Sequence, residues 1–174
     1  MSFEQRNIVI TSATRTPIGT FRGSLKNLQA HELGSVVVNQ AIKKSNLNPN
    51  DIDELIMGQV LTGGAGQNPA RQAAISCGLP IEKTAYIINQ VCGSGLRSVA
   101  AAYQSIKSND SNIIIAGGQE SMTNAPHVIN FRNGEELKET NLIGANLQMS
   151  DGLTLKQIDQ AQTNETTKLP DSLE

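Results

Sequence analysis

Ala85-Tyr86-Ile87-Ile88-Asn89-Gln90-Val91-Cys92-Gly93-Ser94-Gly95-Leu96-Arg97-Ser98-Val99-Ala100 is the stretch on which the fold turns. Its apolar opening predicts a strand over 85–91, covered on both faces. Cys92-Gly93-Ser94-Gly95 then makes a tight turn. Leu96, Val99, Ala100, Tyr103 and Ile106 follow at helical spacing. The stretch therefore reads strand, turn, helix, with a cysteine at the junction.

The same alternation continues on both sides. Upstream, Asn7-Ile8-Val9-Ile10-Thr11-Ser12-Ala13 predicts a first strand, broken by Thr16-Pro17-Ile18-Gly19. A helix over about 31–45 presents Leu33, Val37 and Ala41 on one face, with Val36 and Ile42 beside them, and Asn48-Pro49-Asn50 stops it. Residues 54–60 predict a strand. Asn68-Pro69 opens a helix that ends by Gly78-Leu79-Pro80. Downstream, Asn112-Ile113-Ile114-Ile115-Ala116 predicts a fourth strand, buried and closed by Gly117-Gly118. Strands alternating with helices imply βαβ units and a mainly parallel sheet, an α/β fold. Beyond Gly118 the pattern fades. Residues 119–150 read as largely irregular, and the polar residues 154–174 as a poorly ordered tail.

Composition narrows the function. The chain has 174 residues, 38% of them hydrophobic and 17% charged, with 3% aromatic and no Trp. A packed core is within reach and disorder is excluded. Scarce aromatics and a net charge of −2 argue against nucleic acid as a partner. Charge is uneven: residues 1–50 carry six Lys/Arg against two Asp/Glu, and residues 121–174 carry four against eight. That bias fits a solvated surface; a basic face for an anionic ligand is the alternative. No run approaches ~18 apolar residues, so no membrane span is expected. The N-terminus shows neither a secretory h-region nor an Arg-rich transit pattern. A reducing cytoplasm is the expected compartment.

Cys77 and Cys92 are the two cysteines, and His31 and His127 the two histidines. Two cysteines make no disulfide framework, and no metal-ligand spacing occurs. Gly63-Gly64-Ala65-Gly66 lacks the Lys-Ser/Thr of a phosphate-binding loop. At Cys92 the helix N-terminus directs free N–H groups and a positive dipole end at the sulfur. Such a site suits a nucleophilic thiolate and an oxyanion. Glycines at 93 and 95 allow a sharp turn and close approach of a substrate. The alternative for Cys92 is a buried structural cysteine beside packing glycines. Cys77, before Gly78-Leu79-Pro80, reads as a packing residue.

Longer motifs add to this. Asn89-Gln90-Val91-Cys92-Gly93-Ser94-Gly95-Leu96-Arg97 resembles the nucleophilic-cysteine signature of the thiolases, in particular the acetyl-CoA acetyltransferases. Arg15-Thr16-Pro17-Ile18-Gly19, Ala30-His31-Glu32-Leu33-Gly34, Gly58-Gln59-Val60-Leu61 and Gly66-Gln67-Asn68-Pro69-Ala70-Arg71-Gln72 resemble other thiolase motifs in order. So do Gly117-Gly118-Gln119-Glu120-Ser121-Met122 and Ala125-Pro126-His127. The resemblance runs from about residue 7 to Leu153.

That resemblance implies a thiolase-like βαβαβ half, incomplete, with the second half and most of the loop domain absent. It implies an N-terminal α/β domain over 1–119 and the start of an inserted loop domain over 120–153. Within that insert, 121–145 is similar to the family's tetramerisation loop, and an off-family polar tail occupies 154–174. Cys92 would be the acyl-accepting nucleophile, with its backbone N–H in an oxyanion hole. Leu153, in Asp151-Gly152-Leu153, would be a coenzyme A contact. Acetyl-CoA and acetoacetyl-CoA would be the substrates, with coenzyme A as carrier and no metal or other cofactor. The complete family forms homo-oligomers. The family's Gly-His-Pro, Cys-x-Gly and Asn-Glu-Ala-Phe segments do not occur in this sequence. The alternatives are a catalytically incompetent, truncated or frame-shifted remnant, or one half of a split thiolase completed by a C-terminal chain. A ketoacyl synthase shares the cysteine-on-helix logic, but the wording of 89–96 and 66–72 argues against it.

Overall fold

The computed structural model describes residues 7–126, 142–148 and 153–171. It divides into two compact units, 1–126 and 127–174. The first unit carries α1 (Ala30–Lys44), β1 (Glu54–Gly58), α2 (Pro69–Ser76), β2 (Thr84–Ile88), α3 (Ser94–Lys107) and β3 (Ile114–Gly118). The sheet order is β2-β1-β3, with β1 parallel to both neighbours.

The central strand is also the most apolar in its surroundings. Leu55, Ile56 and Met57 are buried. Leu55 and Met57 pack with Val38 and Ile42 of α1, and with Ala70, Ala73 and Ala74 of α2, in one core. The alanines of α2 let that helix lie close to the strands. Pro69 occupies its first turn, where the missing N–H costs nothing. Asn68 caps it from a left-handed conformation (φ 45°), accepting from the Arg71 N–H while its Nδ2 donates to the Ala85 carbonyl. α1 is closed by a capping box in which the Gln29 N–H donates to Glu32.

Three expectations are corrected here. Residues 7–13 form no strand. They run extended beside α1, antiparallel to it, as the Thr14 hydroxyl donates to the Val37 carbonyl and the Ser12 hydroxyl to the Ala41 carbonyl. Among the described residues no neighbouring strand offers them a ladder, and Val9 and Ile10 stay 72% and 81% exposed. The buried face of α1 is Ala30-Gly34-Val38-Ile42, one position round from the predicted stripe. Gly34 lies on that face because the Gln119 side chain packs against it. Finally, β2 and β3 are both edge strands, only partly covered, rather than the buried strands expected.

Asp53 fastens the start of β1 to β3. Its N–H donates to the Ile113 carbonyl (2.9 Å), and its carboxylate accepts from the Asn112 and Ile113 N–H groups at 2.7 and 3.1 Å. Asn112 first, then Ile113, hold this carboxyl below the usual carboxylate range, against the smaller opposing effect of burial, and Lys83 adds to the lowering. A lowered folded-state value gives stabilisation that is whole above the unfolded carboxyl's ~3.9. It drains away as pH falls through the folded value. Asp53→Asn is therefore expected to lower the urea midpoint at pH 7 and to shrink the fall between pH 5 and pH 2. Urea titrations across that range check it, and an unchanged pH dependence would contradict the role.

In the second unit, Leu142, Leu147, Leu153 and Ile158 form a small apolar cluster. One helical turn, α4 (Leu155–Ile158), begins at a Thr154–Gln157 capping box. The Leu147 N–H donates to the Lys168 carbonyl, and the Lys168 N–H to that of Ala145. The run expected to be a loose tail thus carries packed and hydrogen-bonded residues. Residues 127–141, most of the segment similar to a tetramerisation loop, lie outside the described residues.

Candidate functional site

The site lies where the three parallel strands end. Cys92 is exposed on the turn between β2 and α3. Ser94 holds that turn from below: its buried hydroxyl accepts from the Gln90 N–H (2.8 Å) and donates to the Val91 carbonyl (2.6 Å). The Gly93 and Ser94 N–H groups close back onto the Gln90 and Val91 carbonyls. Asn89 adds a second tie, its Oδ1 accepting from the Val91 N–H while its Nδ2 donates to the Val60 carbonyl. Between these ties Val91 sits at φ +50°. A β-branched residue there is strained, and strain of this kind collects at sites whose geometry is held by their surroundings.

Three glycines let α3 come down onto the strand ends. A methyl group on Gly58 would collide with the Ser94 carbonyl carbon and fall 2.5 Å from the Gly95 nitrogen. One on Gly118 would fall 3.3 Å from the Gly58 oxygen and 3.4 Å from the Gly95 Cα. The helix N-terminus therefore rests almost directly on backbone. Ser98, fully buried one turn on, is within bonding distance of both the Gly95 and Gly117 carbonyls, at 2.6 and 2.7 Å.

A polar layer braces the same end of the sheet. The Glu120 carboxylate accepts from the Val60 N–H at 2.7 Å. Gln119 donates from Nε2 to Gln59 Oε1 (2.9 Å), and Gln59 donates to the Leu61 carbonyl. The motif wording contained these residues without disclosing their tasks. The available signal was polar residues directly following apolar strand runs.

The remaining candidates lie elsewhere. Cys77 caps the C-terminus of α2, donates from Sγ to the Ala74 carbonyl and packs against the core. Burial pushes its thiol up. His31, in the first turn of α1, lines a small pocket with Gln29, Gln59, Leu61 and Glu120; Cys92 does not line it. Leu153 is buried in the apolar cluster of the second unit. His127 lies outside the described residues. Among the described residues no three His, Cys, Asp or Glu side chains gather as a metal site, and no helix is long and apolar enough to cross a membrane. On the outer side of α3, Leu96 is 78% exposed, with Val99 and Tyr103 also exposed beyond it.

A cysteine elbow at the strand ends of a parallel α/β sheet is a geometry that can present a nucleophile. A family model for the thiolase N-terminal domain matches residues 8–168, beyond the point near Leu153 where the motif resemblance fades. The chain belongs to the thiolase family. The acetyl-CoA acetyltransferase of Paracoccus denitrificans is 49% identical over 145 residues, which cover 83% of this chain and 37% of that protein. The cytosolic acetyl-CoA acetyltransferase of Mus musculus is 43% identical over 147 residues, covering 84% and 36%. The Acat5 thiolase from Ascaris suum, solved in complex with coenzyme A, superposes with a TM-score of 0.70 at 42% identity, over 73% of this chain and 33% of that one. The chain thus spans little more than a third of the length of these curated relatives.

Proposed function

We propose that this chain carries the nucleophile-bearing part of an acetyl-CoA acetyltransferase, and that Cys92 takes the acetyl group. The observation that carries this is the exposed Cys92 on an elbow whose turn is pinned by Ser94 and whose helix rests on Gly58. Cys92 Sγ attacks the acetyl carbonyl carbon of acetyl-CoA. The carbonyl oxygen gathers charge beside the Cys92 N–H and the first turn of α3, and the carbon–sulfur bond to coenzyme A then breaks. Coenzyme A leaves as the thiol, carrying the proton that Cys92 gave up, and Cys92 holds the acetyl thioester. Carbon–carbon bond formation follows when a second acetyl-CoA, deprotonated at its methyl carbon by a base, attacks that thioester: the bond between Cys92 Sγ and the acyl carbon breaks, acetoacetyl-CoA leaves, and the Cys92 thiolate takes up the proton from the base. The reverse step cleaves acetoacetyl-CoA.

Neither Cys77 nor His31 is placed to serve as the base for that second step. The base for that step is proposed to lie in the part of the relatives' length that this sequence does not span. No resident cofactor enters this scheme, because coenzyme A comes and goes as substrate. Leu153, the coenzyme A contact that the family resemblance implies, is held in the apolar cluster of the second unit and would have to leave that cluster to touch a ligand. A cytoplasmic location fits the name of the mouse relative.

Intact-mass measurement after incubation with acetyl-CoA tests the first half-reaction. One acetyl group is expected on the chain and none on Cys92→Ser, with the adduct mapping to the Cys92 peptide. Acetylation that persists in Cys92→Ser would remove Cys92 from the role.

A further inference from the structure

We infer that Asn89 is a positioning residue for acyl transfer to Cys92: its amide straps the turn before the nucleophile to the chain leaving β1, and so sets the direction of the Cys92 N–H. The inference rests on the reading of Cys92 as the acyl acceptor. The Gly93 N–H donates to the Gln90 carbonyl at 3.0 Å and closes a four-residue turn with Val91 and Cys92 at its centre. Val91 sits at φ +50°, while the φ of Cys92 is negative. A turn with positive φ at its first central position ordinarily takes glycine there. A β-branched residue is the poorest choice for it.

Val91 stays in that conformation because the peptide groups on both sides of its Cα are held. The one before it is held by Asn89, whose Oδ1 accepts from the Val91 N–H at 3.0 Å. The one after it is held by Ser94, whose hydroxyl and N–H donate to the Val91 carbonyl at 2.6 and 3.1 Å. In a trans peptide the C=O and the following N–H point opposite ways. With the Val91 carbonyl drawn toward Ser94, the Cys92 N–H is turned out of the loop, and no acceptor takes it among the described residues.

The far end of the strap is firm. Asn89 Nδ2 donates to the Val60 carbonyl at 3.2 Å. The Val60 N–H donates to the Glu120 carboxylate at 2.7 Å, and the Leu61 N–H lies 3.4 Å from both carboxylate oxygens. The Gln59 N–H donates to the Ile88 carbonyl at 3.1 Å. The Val60 carbonyl and the Leu61 N–H belong to one peptide, so a carboxylate at one end strengthens the acceptor at the other. The strap needs a donor and an acceptor on one short planar group, which an Asn amide has and an ionised Asp lacks. Ser94 is buried and Asn89 exposed. Ser94 therefore carries the stability of the turn, and Asn89 its direction. Without the strap Val91 relaxes to negative φ and carries the 91–92 peptide round. The sulfur stays at the surface, but the N–H leaves the place where charge gathers on an attacked carbonyl oxygen.

The probes are p-nitrophenyl acetate and iodoacetamide, each followed to its adduct on the Cys92 peptide of the full 174-residue chain. Neither needs a coenzyme A site. With the ester, Cys92 Sγ bonds to the acetyl carbon through an oxyanion, p-nitrophenolate leaves, and the thiol proton passes to buffer. With iodoacetamide, Sγ displaces iodide from a saturated carbon and no oxyanion forms. Asn89→Ala is expected to slow acetyl transfer about tenfold or more and alkylation by less than about twofold. Its urea midpoint is expected to stay close to that of the parent. On a Val91→Gly background the same change is expected to cost less than about threefold, because glycine keeps a positive φ unaided. Where Asn89→Ala fails to fold, Asn89→Asp decides. It keeps the acceptor for the Val91 N–H, loses the donor to Val60, and is expected to show the same selective loss. Three results would overturn the inference: unchanged acetyl transfer, equal losses with both probes, or a loss undiminished by Val91→Gly. Acetyl-CoA is scored separately on the same samples. A chain acetylated by the ester but not by acetyl-CoA would fail the proposed function, while its dependence on Asn89 would still be read.

Discussion

Gly58→Ala is expected to cost about 2–3 kcal/mol, the upper part of the ~1–3 kcal/mol typical of a small-to-large change, because the site cannot expand. The added methyl meets main chain, the Ser94 carbonyl and the Gly95 nitrogen, rather than the tip of a flexible side chain. Relief requires lifting the whole N-terminal turn of α3, and that motion breaks the Ser94 bonds holding the Cys92 turn. For a domain with a total stability of ~5–15 kcal/mol this is a large fraction. Gly95→Ala is the matched control. Its methyl would find nothing nearer than Gly118 at 3.9 Å, and its place is inside a helix. No loss is expected there, and a gain of up to about 1 kcal/mol from helix propensity. Chemical denaturation of the two variants side by side checks the pair. Equal stability of Gly58→Ala and the parent chain would show that α3 does not rest on the strand as described.

The second large effect is on turnover. Acetoacetyl-CoA cleavage by the 174-residue chain alone is expected to run at least ~10⁴-fold below that of the Paracoccus denitrificans relative, since a positioned base contributes ~10²–10⁴ and an oxyanion donor ~10²–10³. The reason is local. The elbow offers a nucleophile and backbone N–H groups, while Cys77 is committed to the end of α2 and His31 to a different pocket. Loss of the acetoacetyl-CoA enolate absorbance, followed for both proteins at equal concentration, measures the difference. A rate within tenfold of the relative's would mean that this chain supplies its own base.

The elbow was the most legible element in the sequence, because strand, turn and helix signals meet at Cys92 within a dozen residues and each has a local cause. The start of α2 was legible for the same reason, being set by Asn68-Pro69. What was not legible depends on distant partners. Residues 7–13 have the composition of a strand, yet strand formation needs a neighbouring edge, and the composition of Ile8-Val9-Ile10 says nothing about one. The buried face of α1 was misplaced because Gly34 carries no apolar weight, although the approach of Gln119, eighty-five positions away, is what buries it. Ser94 and Ser98 are small polar residues on an apolar-patterned helix, and their residue type alone does not announce burial. Their burial follows from the carbonyls they reach.

The register of β1 carries a consequence for synthesis on the ribosome. Leu55 pairs with Ala85 on one side and with Ile115 on the other, sixty residues later in the chain. At roughly 5–20 residues per second, the thirty residues from Ala85 to Ile115 take on the order of 1.5–6 seconds. Through that interval Leu55, Ile56 and Met57, the three most deeply covered residues of the strand, have only one flank satisfied. The first unit therefore closes late and all together, once β3 has cleared the exit tunnel. A codon-level slowing between positions 88 and 114 would lengthen the exposure of the future core, with no change in the protein sequence at all.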